Sequence, residues 1–224
     1  MKKAIVIAAA LLVFFAAAVI LFFFVILPRI NAPEPEYPKN RIVCIDAGHG
    51  GKDAGAVLDT RYEKDDNLRL ALAVEKALEA KGFTVVMTRA DDVFVELEDR
   101  CKTANDADAA LFIALHRNSA EAANAKGFEV WTNSDAGTLA KDLSHALLSG
   151  IKDVGISSDR GVKFGTQASP LSDYTVNRLT DMPSCILEMG FISSETDNGL
   201  FDENLDAYAE AIASAVESLY PEEK

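Results

Sequence analysis

The apolar positions of this chain fall into two regimes. Residues 4–27 carry no charge and no polar side chain. A helix of that length rises roughly 36 Å, enough to cross a hydrocarbon core of about 30 Å. Beyond residue 40 the apolar positions come in short blocks. Residues 41–46 are a β-branched run that ends in a glycine cluster, the pattern of a buried strand followed by a loop. Within residues 62–81, Leu70, Ala73, Val74, Ala77 and Leu78 recur at helical spacing, Glu63, Asp65 and Asp66 suit a first turn, and Gly82 suits the stop. Further strands are expected at residues 83–88, 109–115 (with His116 directly after), 128–132 and 184–189. Further helices are expected at 95–105, 138–149 and 205–219. This alternation predicts a three-layer α/β domain over residues 41–220, with a mixed, largely parallel central sheet, preceded by one transmembrane helix.

Lys2 and Lys3 precede the long apolar run. By the positive-inside rule they stay in the cytoplasm, so residues 1–30 read as a transmembrane signal-anchor and the domain as extracytoplasmic at the cell membrane. A cleaved signal peptide, which would release a secreted domain, is the rival reading. Its apolar core is usually about 7–15 residues, and no small-x-small site follows Leu27. Residues 31–40 hold three prolines and read as a short extended linker.

Charge narrows the partners. The net charge is −13, and every acidic residue follows the apolar run. A domain that acidic repels nucleic-acid phosphates and offers no polybasic patch to anionic lipid. Nucleic acid is therefore excluded, and the substrate should be neutral or held by local positive charge such as a metal ion. Cys44, Cys101 and Cys185 are an odd set that cannot pair completely, and they lie in strand-like or helical runs where a thiol acts as a small hydrophobe.

Candidate chemistry gathers at the ends of predicted strands. Two of the three histidines, His49 and His116, follow strands; Glu63 opens a helix; Glu188 ends another strand. In open α/β sheets, sites form outside the carboxyl ends of strands. Two histidines and a carboxylate with an open fourth position make a common catalytic zinc set. The intervals between them are long, and spacing alone leaves structural histidines open. Gly48–His49–Gly50–Gly51–Lys52 is not a phosphate loop, because Asp46 and Asp53 stand where glycine and Ser/Thr belong, and Asp53 also breaks the dinucleotide pattern. Asp46 either orients a histidine or is a plain turn carboxylate. His145 lies in a helix and reads as solvated. Asn177 and Arg178 either touch peptide carboxylates or serve the surface.

The segment IVCIDAGHGGKDAG (residues 42–55) resembles the opening motif of the zinc-dependent N-acetylmuramoyl-L-alanine amidases of type 3, here in a short membrane-anchored form. Four pieces follow in that family's order: YEKDDNLRLALAVEKALEAKGFTVVMTR, ANDADAALFIALHRNS, DRGVKF and MPSCILEMGFISSETD. The resemblance implies a phosphorylase/hydrolase-like fold, zinc held by His49, Glu63 and His116, and Glu188 as the catalytic acid/base. It implies peptidoglycan as substrate, cut at the amide between N-acetylmuramic acid and the L-alanine of the stem peptide. A zinc peptidase acting within wall peptides and a spore-cortex-processing amidase are the alternatives. Two departures stand out. Ala47 replaces a usual proline, and Arg117 replaces a small residue beside His116, where a long cation bears on substrate fit. The short join over residues 118–127 leaves no room for the inhibitory helix of some relatives.

Overall fold

The computed structural model describes residues 19–20, 22–26, 37–122 and 124–221. The chain divides into two compact units, Met1–Glu36 and Tyr37–Lys224. In the first, Phe22–Ile26 forms a short π-helix. Among the described residues no helix is long and apolar enough to cross a membrane. The rest of the span expected over residues 1–30, and residues 31–36 of the expected linker, lie outside the described residues.

In the second unit the strands are β1 (Ile42–Ala47), β2 (Val57–Leu58), β3 (Arg61–Tyr62), β4 (Thr84–Met87), β5 (Leu111–Asn118), β6 (Phe128–Thr132), β7 (Asp159–Phe164) and β8 (Ser184–Phe191). The helices are α1 (Glu63–Ala80), α2 (Leu97–Asp106), α3 (Thr138–Val154), α4 (Thr175–Leu179), α5 (Glu195–Glu203) and α6 (Leu205–Glu217). Six strands form one sheet in the order β4-β1-β5-β8-β6-β7, and β2 and β3 form a separate hairpin. Strand β1 runs parallel to β4 and β5, and β5 parallel to β8. Strand β6 is antiparallel to β8 and parallel to β7. The sheet is thus mixed and largely parallel, as the sequence predicts.

Strands β1 and β5 are nearly continuous in apolar residues because both of their faces are covered. Alternation sorts their side chains between two cores. Val43, Ile45, Ile113, Leu115 and Leu187 join the larger one, with Leu70 and Val74 of α1, Leu143 of α3 and Ile212 of α6. Cys44, Phe112, Ala114 and Ile186 face the smaller one, with Cys101 and Ala104 of α2 and Val176 of α4. All three cysteines are free and buried. Helix α1 stops where the Gly82 N–H donates to the Glu79 carbonyl.

The apolar pattern misses five elements. Strand β7 is DRGVKF, mostly polar because it lies at the sheet edge, where charge protects against pairing with other chains. Helix α4 has five residues and α5 is largely polar, so neither shows a helical stripe. The hairpin strands have two residues each. Helix α3 also runs past the expected end at residue 149, because Ile151 buries one turn further on.

Arg117 is the main surprise. It shares strand β5 with His116 but points through the opposite face, where it is among the largest fully buried side chains. Its guanidinium donates to Asp66 Oδ2 at 2.6 Å and to Asn198 Oδ1 at 2.6 Å, and lies 4.3 Å from the Phe201 ring centroid. The expectation that this cation bears on substrate fit is therefore corrected: strand alternation turns it into the interior, where it ties β5 to α1 and α5. Arg117→Ala should lower the unfolding free energy by about 1.5–3 kcal/mol, the weight of a hydrogen bond to a charged group, since Arg61 and Arg69 still answer Asp66. Urea denaturation measures this, and a loss below about 1 kcal/mol would contradict a structural role.

Candidate active site

The site assembles where β1, β5 and β8 end. After β1 the chain turns sharply: His49 itself takes φ 63°, a region few non-glycine residues adopt. The turn is held from behind. Arg100 donates to the carbonyls of Ala47 (2.9 Å) and His49 (2.8 Å), and Arg89 to those of Ala47 (2.8 Å) and Gly48 (3.0 Å). A Cβ on Gly48 would run into the His116 ring, so a side chain at position 48 would displace that imidazole.

Glu63 opens α1 and reaches back to the two rings. Its Oε1 lies 2.9 Å from His116 Nδ1 and 3.2 Å from His49 Nε2, and it accepts from the Arg117 N–H at 3.1 Å. Its Oε2 accepts from the Ala56 N–H at 2.9 Å. Burial opposes ionisation, but the bonds from His116 and His49 outweigh it and hold the carboxyl far below the usual carboxylate range. Burial also disfavours charge on His116, yet Glu63 drives its imidazole up to about 9, with Glu188 adding to the effect. The local field therefore favours a positive charge between these groups.

One ligand atom from each of His49, Glu63 and His116 lies within 4.8 Å of the others. These residues fit a divalent ion. The donor set suits zinc, whose bonds of about 2.0–2.2 Å place tetrahedral donors roughly 3.3–3.6 Å apart; the Glu63 oxygen lies slightly inside that spacing, 2.9 and 3.2 Å from the two histidine nitrogens. A metal-binding histidine usually gives its second nitrogen to a carboxylate, which fixes the tautomer. Asp53 Oδ2 does this for His49, accepting from Nδ1 at 2.8 Å. Asp46 does not: it pairs with Arg100 at 2.6 Å and accepts from Thr88 Oγ1. Of the two readings for Asp46, orienting a histidine is thus set aside, and Asp53 has that part. Its signal was in the sequence, as the carboxylate four residues after His49.

Glu188 stands in register with His116 across the β5–β8 pair. Its Oε2 is buried with no hydrogen-bond partner among the described residues. Burial pushes its carboxyl up to about 7; His116 opposes this, while Glu63 and Glu129 add to it. His49, His116 and Glu188 border a cleft of about 470 Å³ whose other wall is apolar, with Phe94, Val95, Tyr174 and Ile186.

The remaining candidates fall elsewhere. His145 is exposed on α3. Asn177 is buried and braces the fold, with its Nδ2 donating to the Trp131 carbonyl and its own carbonyl accepting from Asn133. Arg178 is exposed and does not line the cleft. Spacing did not reveal Arg89 and Arg100, which hold the His49 turn.

Known proteins resemble this chain along most of its length. A family model described as N-acetylmuramoyl-L-alanine amidase matches residues 43–218. The uncharacterised protein YqiI of Bacillus subtilis is 37% identical over 189 residues, which cover 81% of this chain and 86% of YqiI. A Staphylococcus aureus protein named probable cell wall amidase LytH is 34% identical over 179 residues, 78% of this chain but only 56% of LytH. Among solved structures, the catalytic domain of CwlV, an N-acetylmuramoyl-L-alanine amidase from Bacillus (Paenibacillus) polymyxa var. colistinus, superposes with a TM-score of 0.71 at 34% identity, covering 80% of this chain and 97% of that domain. The order of strands, the cluster of two histidines and a glutamate, and these likenesses agree, and the chain belongs to the N-acetylmuramoyl-L-alanine amidase family.

Proposed function

We propose that this protein is a zinc-dependent peptidoglycan hydrolase that cuts the amide between N-acetylmuramic acid and the L-alanine of the stem peptide. The observation that carries the reading is the pairing of a His49–Glu63–His116 cluster with Glu188 at the same cleft, whose Oε2 is buried and has no hydrogen-bond partner among the described residues. His49, Glu63 and His116 hold the zinc, and Asp53 fixes the His49 tautomer. When bound, the ion supplies Lewis acidity to the scissile carbonyl and makes water easier to deprotonate. Glu188 accepts the proton of the attacking water and returns a proton to the leaving alanine nitrogen. A carboxyl near 7 suits both halves of that exchange at neutral pH. The apolar wall at Phe94 and Tyr174 limits water around the reacting amide. In the same reading, residues 1–30 are an uncleaved anchor and the catalytic domain works outside the cytoplasm. Its support is the unbroken apolar run behind Lys2 and Lys3.

Glu188→Gln should retain stoichiometric zinc but cleave peptidoglycan about 10²–10⁴-fold more slowly, the usual weight of a positioned acid/base. Release of whole stem peptides from purified cell walls measures this, and wild-type rates in the variant would remove Glu188 from the mechanism. Chelation should abolish hydrolysis and zinc should restore it; a chelated protein at full rate would contradict the metal. Asp53→Ala should weaken zinc binding by about 10–100-fold, read by competition with a chromophoric chelator, with the circular dichroism spectrum unchanged.

A further inference from the structure

The sheet face that carries Glu188 continues past the cleft onto the antiparallel half of the sheet. Glu129 of β6 stands opposite Glu188 in the β6–β8 pair. Two cations of β7 converge on it: Arg160 Nε donates to Glu129 Oε2 at 2.7 Å, and Lys163 Nζ lies 4.0 Å from the same oxygen. Residues three apart on a regular strand point to opposite faces. Here Gly161, at φ 83°, and a register shift in the β6–β7 ladder bring both heads to one side.

The carboxylate is already spoken for. Its Oε1 accepts from Asn118 Nδ2 at 2.9 Å and from Trp131 Nε1 at 3.0 Å. One buried carboxylate thus answers two cations, leaving a positive surplus on a strongly acidic chain. Among the described residues Lys163 Nζ donates no hydrogen bond, and Arg160 uses only Nε. Both side chains are about one-third exposed, 38% for Arg160 and 34% for Lys163. The shelf is tied to the cleft wall through one ring: Lys163 Nζ lies 5.7 Å from the Trp131 ring centroid, and Trp131 meets Tyr174 of the cleft wall edge-on.

We infer that Arg160 and Lys163 form an anion subsite for a free carboxylate on the leaving peptide, carried by the residue after the alanine. This rests on the amidase reading above. Strands β8 and β7 are two strand spacings apart, about 10 Å. An extended residue spans about 3.5 Å, so a carboxylate one residue beyond the alanine comes within reach of long cationic side chains. The subsite explains how an acidic domain takes an acidic peptide: the attraction is local, aimed at one group, and set beside the catalytic cleft.

Trp131 is the chain's one tryptophan, so its emission reports on this shelf. Titrating the full-length protein with L-alanyl-D-glutamate should change Trp131 fluorescence, and L-alanyl-D-isoglutamine, with that carboxylate amidated, should bind about fivefold more weakly. Lys163→Met should erase the difference and Lys163→Arg should restore it. In hydrolysis of disaccharide-tetrapeptides with the same carboxylate free or amidated, the preference for the free acid should appear in KM rather than kcat, and Lys163→Met should remove it. Equal binding of the two dipeptides by the wild-type protein, or an undiminished preference in Lys163→Met, would overturn the subsite. A fluorescence response without any hydrolysis would leave the subsite standing and overturn the amidase reading.

Discussion

Glu63 carries a negative charge into a position where it is only 4% exposed, and such a charge is tolerated only if its lone pairs are answered. Two imidazoles, two backbone N–H groups and Asn67 answer it. They come from four pieces of chain: the turn after β1, the residue before the β2–β3 hairpin, the end of β5, which supplies both an imidazole and a backbone N–H, and the second turn of α1. Satisfying one carboxylate therefore fixes four segments at once. The N-terminal end of α1 helps, since the helix dipole favours an anion there. A metal ion in the same place would use the charge that this arrangement concentrates.

Behind this point the fold is stiffened by buried arginines rather than by apolar packing alone. Arg89 and Arg100 bind the carbonyls of a turn whose backbone is unfavourable, and Arg117 anchors α1 through Asp66 on the other side of the sheet. A buried cation of this kind adds little net stability but fixes geometry, because breaking it leaves an unanswered charge. Glu188 is the contrast. Its Oε2 is buried beside the same cluster with no partner among the described residues, the arrangement expected of a group that exchanges a proton during turnover.

Much of this was legible in the sequence, for identifiable reasons. Strands β1, β5 and β8 announce themselves because both faces are buried, so their apolar runs are nearly unbroken. Helix α1 is legible because one face alone is buried. His49, His116 and Glu188 follow from their places at the ends of strands, although spacing alone could not bring Glu63 to them; the ordered motifs did that. What stayed hidden depends on tertiary contact. Strand β7 has the composition of a loop because it is an edge. Arg117 looked like a neighbour of the substrate because adjacency in sequence says nothing about face until the strand's alternation is known. Asp53 and Asp46 are interchangeable on paper and are told apart only by which one touches a ring.

The account stands on Glu63, His49 and His116 sharing one ion. Anomalous diffraction at the zinc edge, from crystals of the zinc-loaded protein, addresses this directly. The account predicts a single strong peak about 2.0–2.2 Å from one atom of each of the three residues, with Glu188 beside it and outside the ligand set. A peak elsewhere, or a Glu63 carboxylate turned away from the ion, would contradict it.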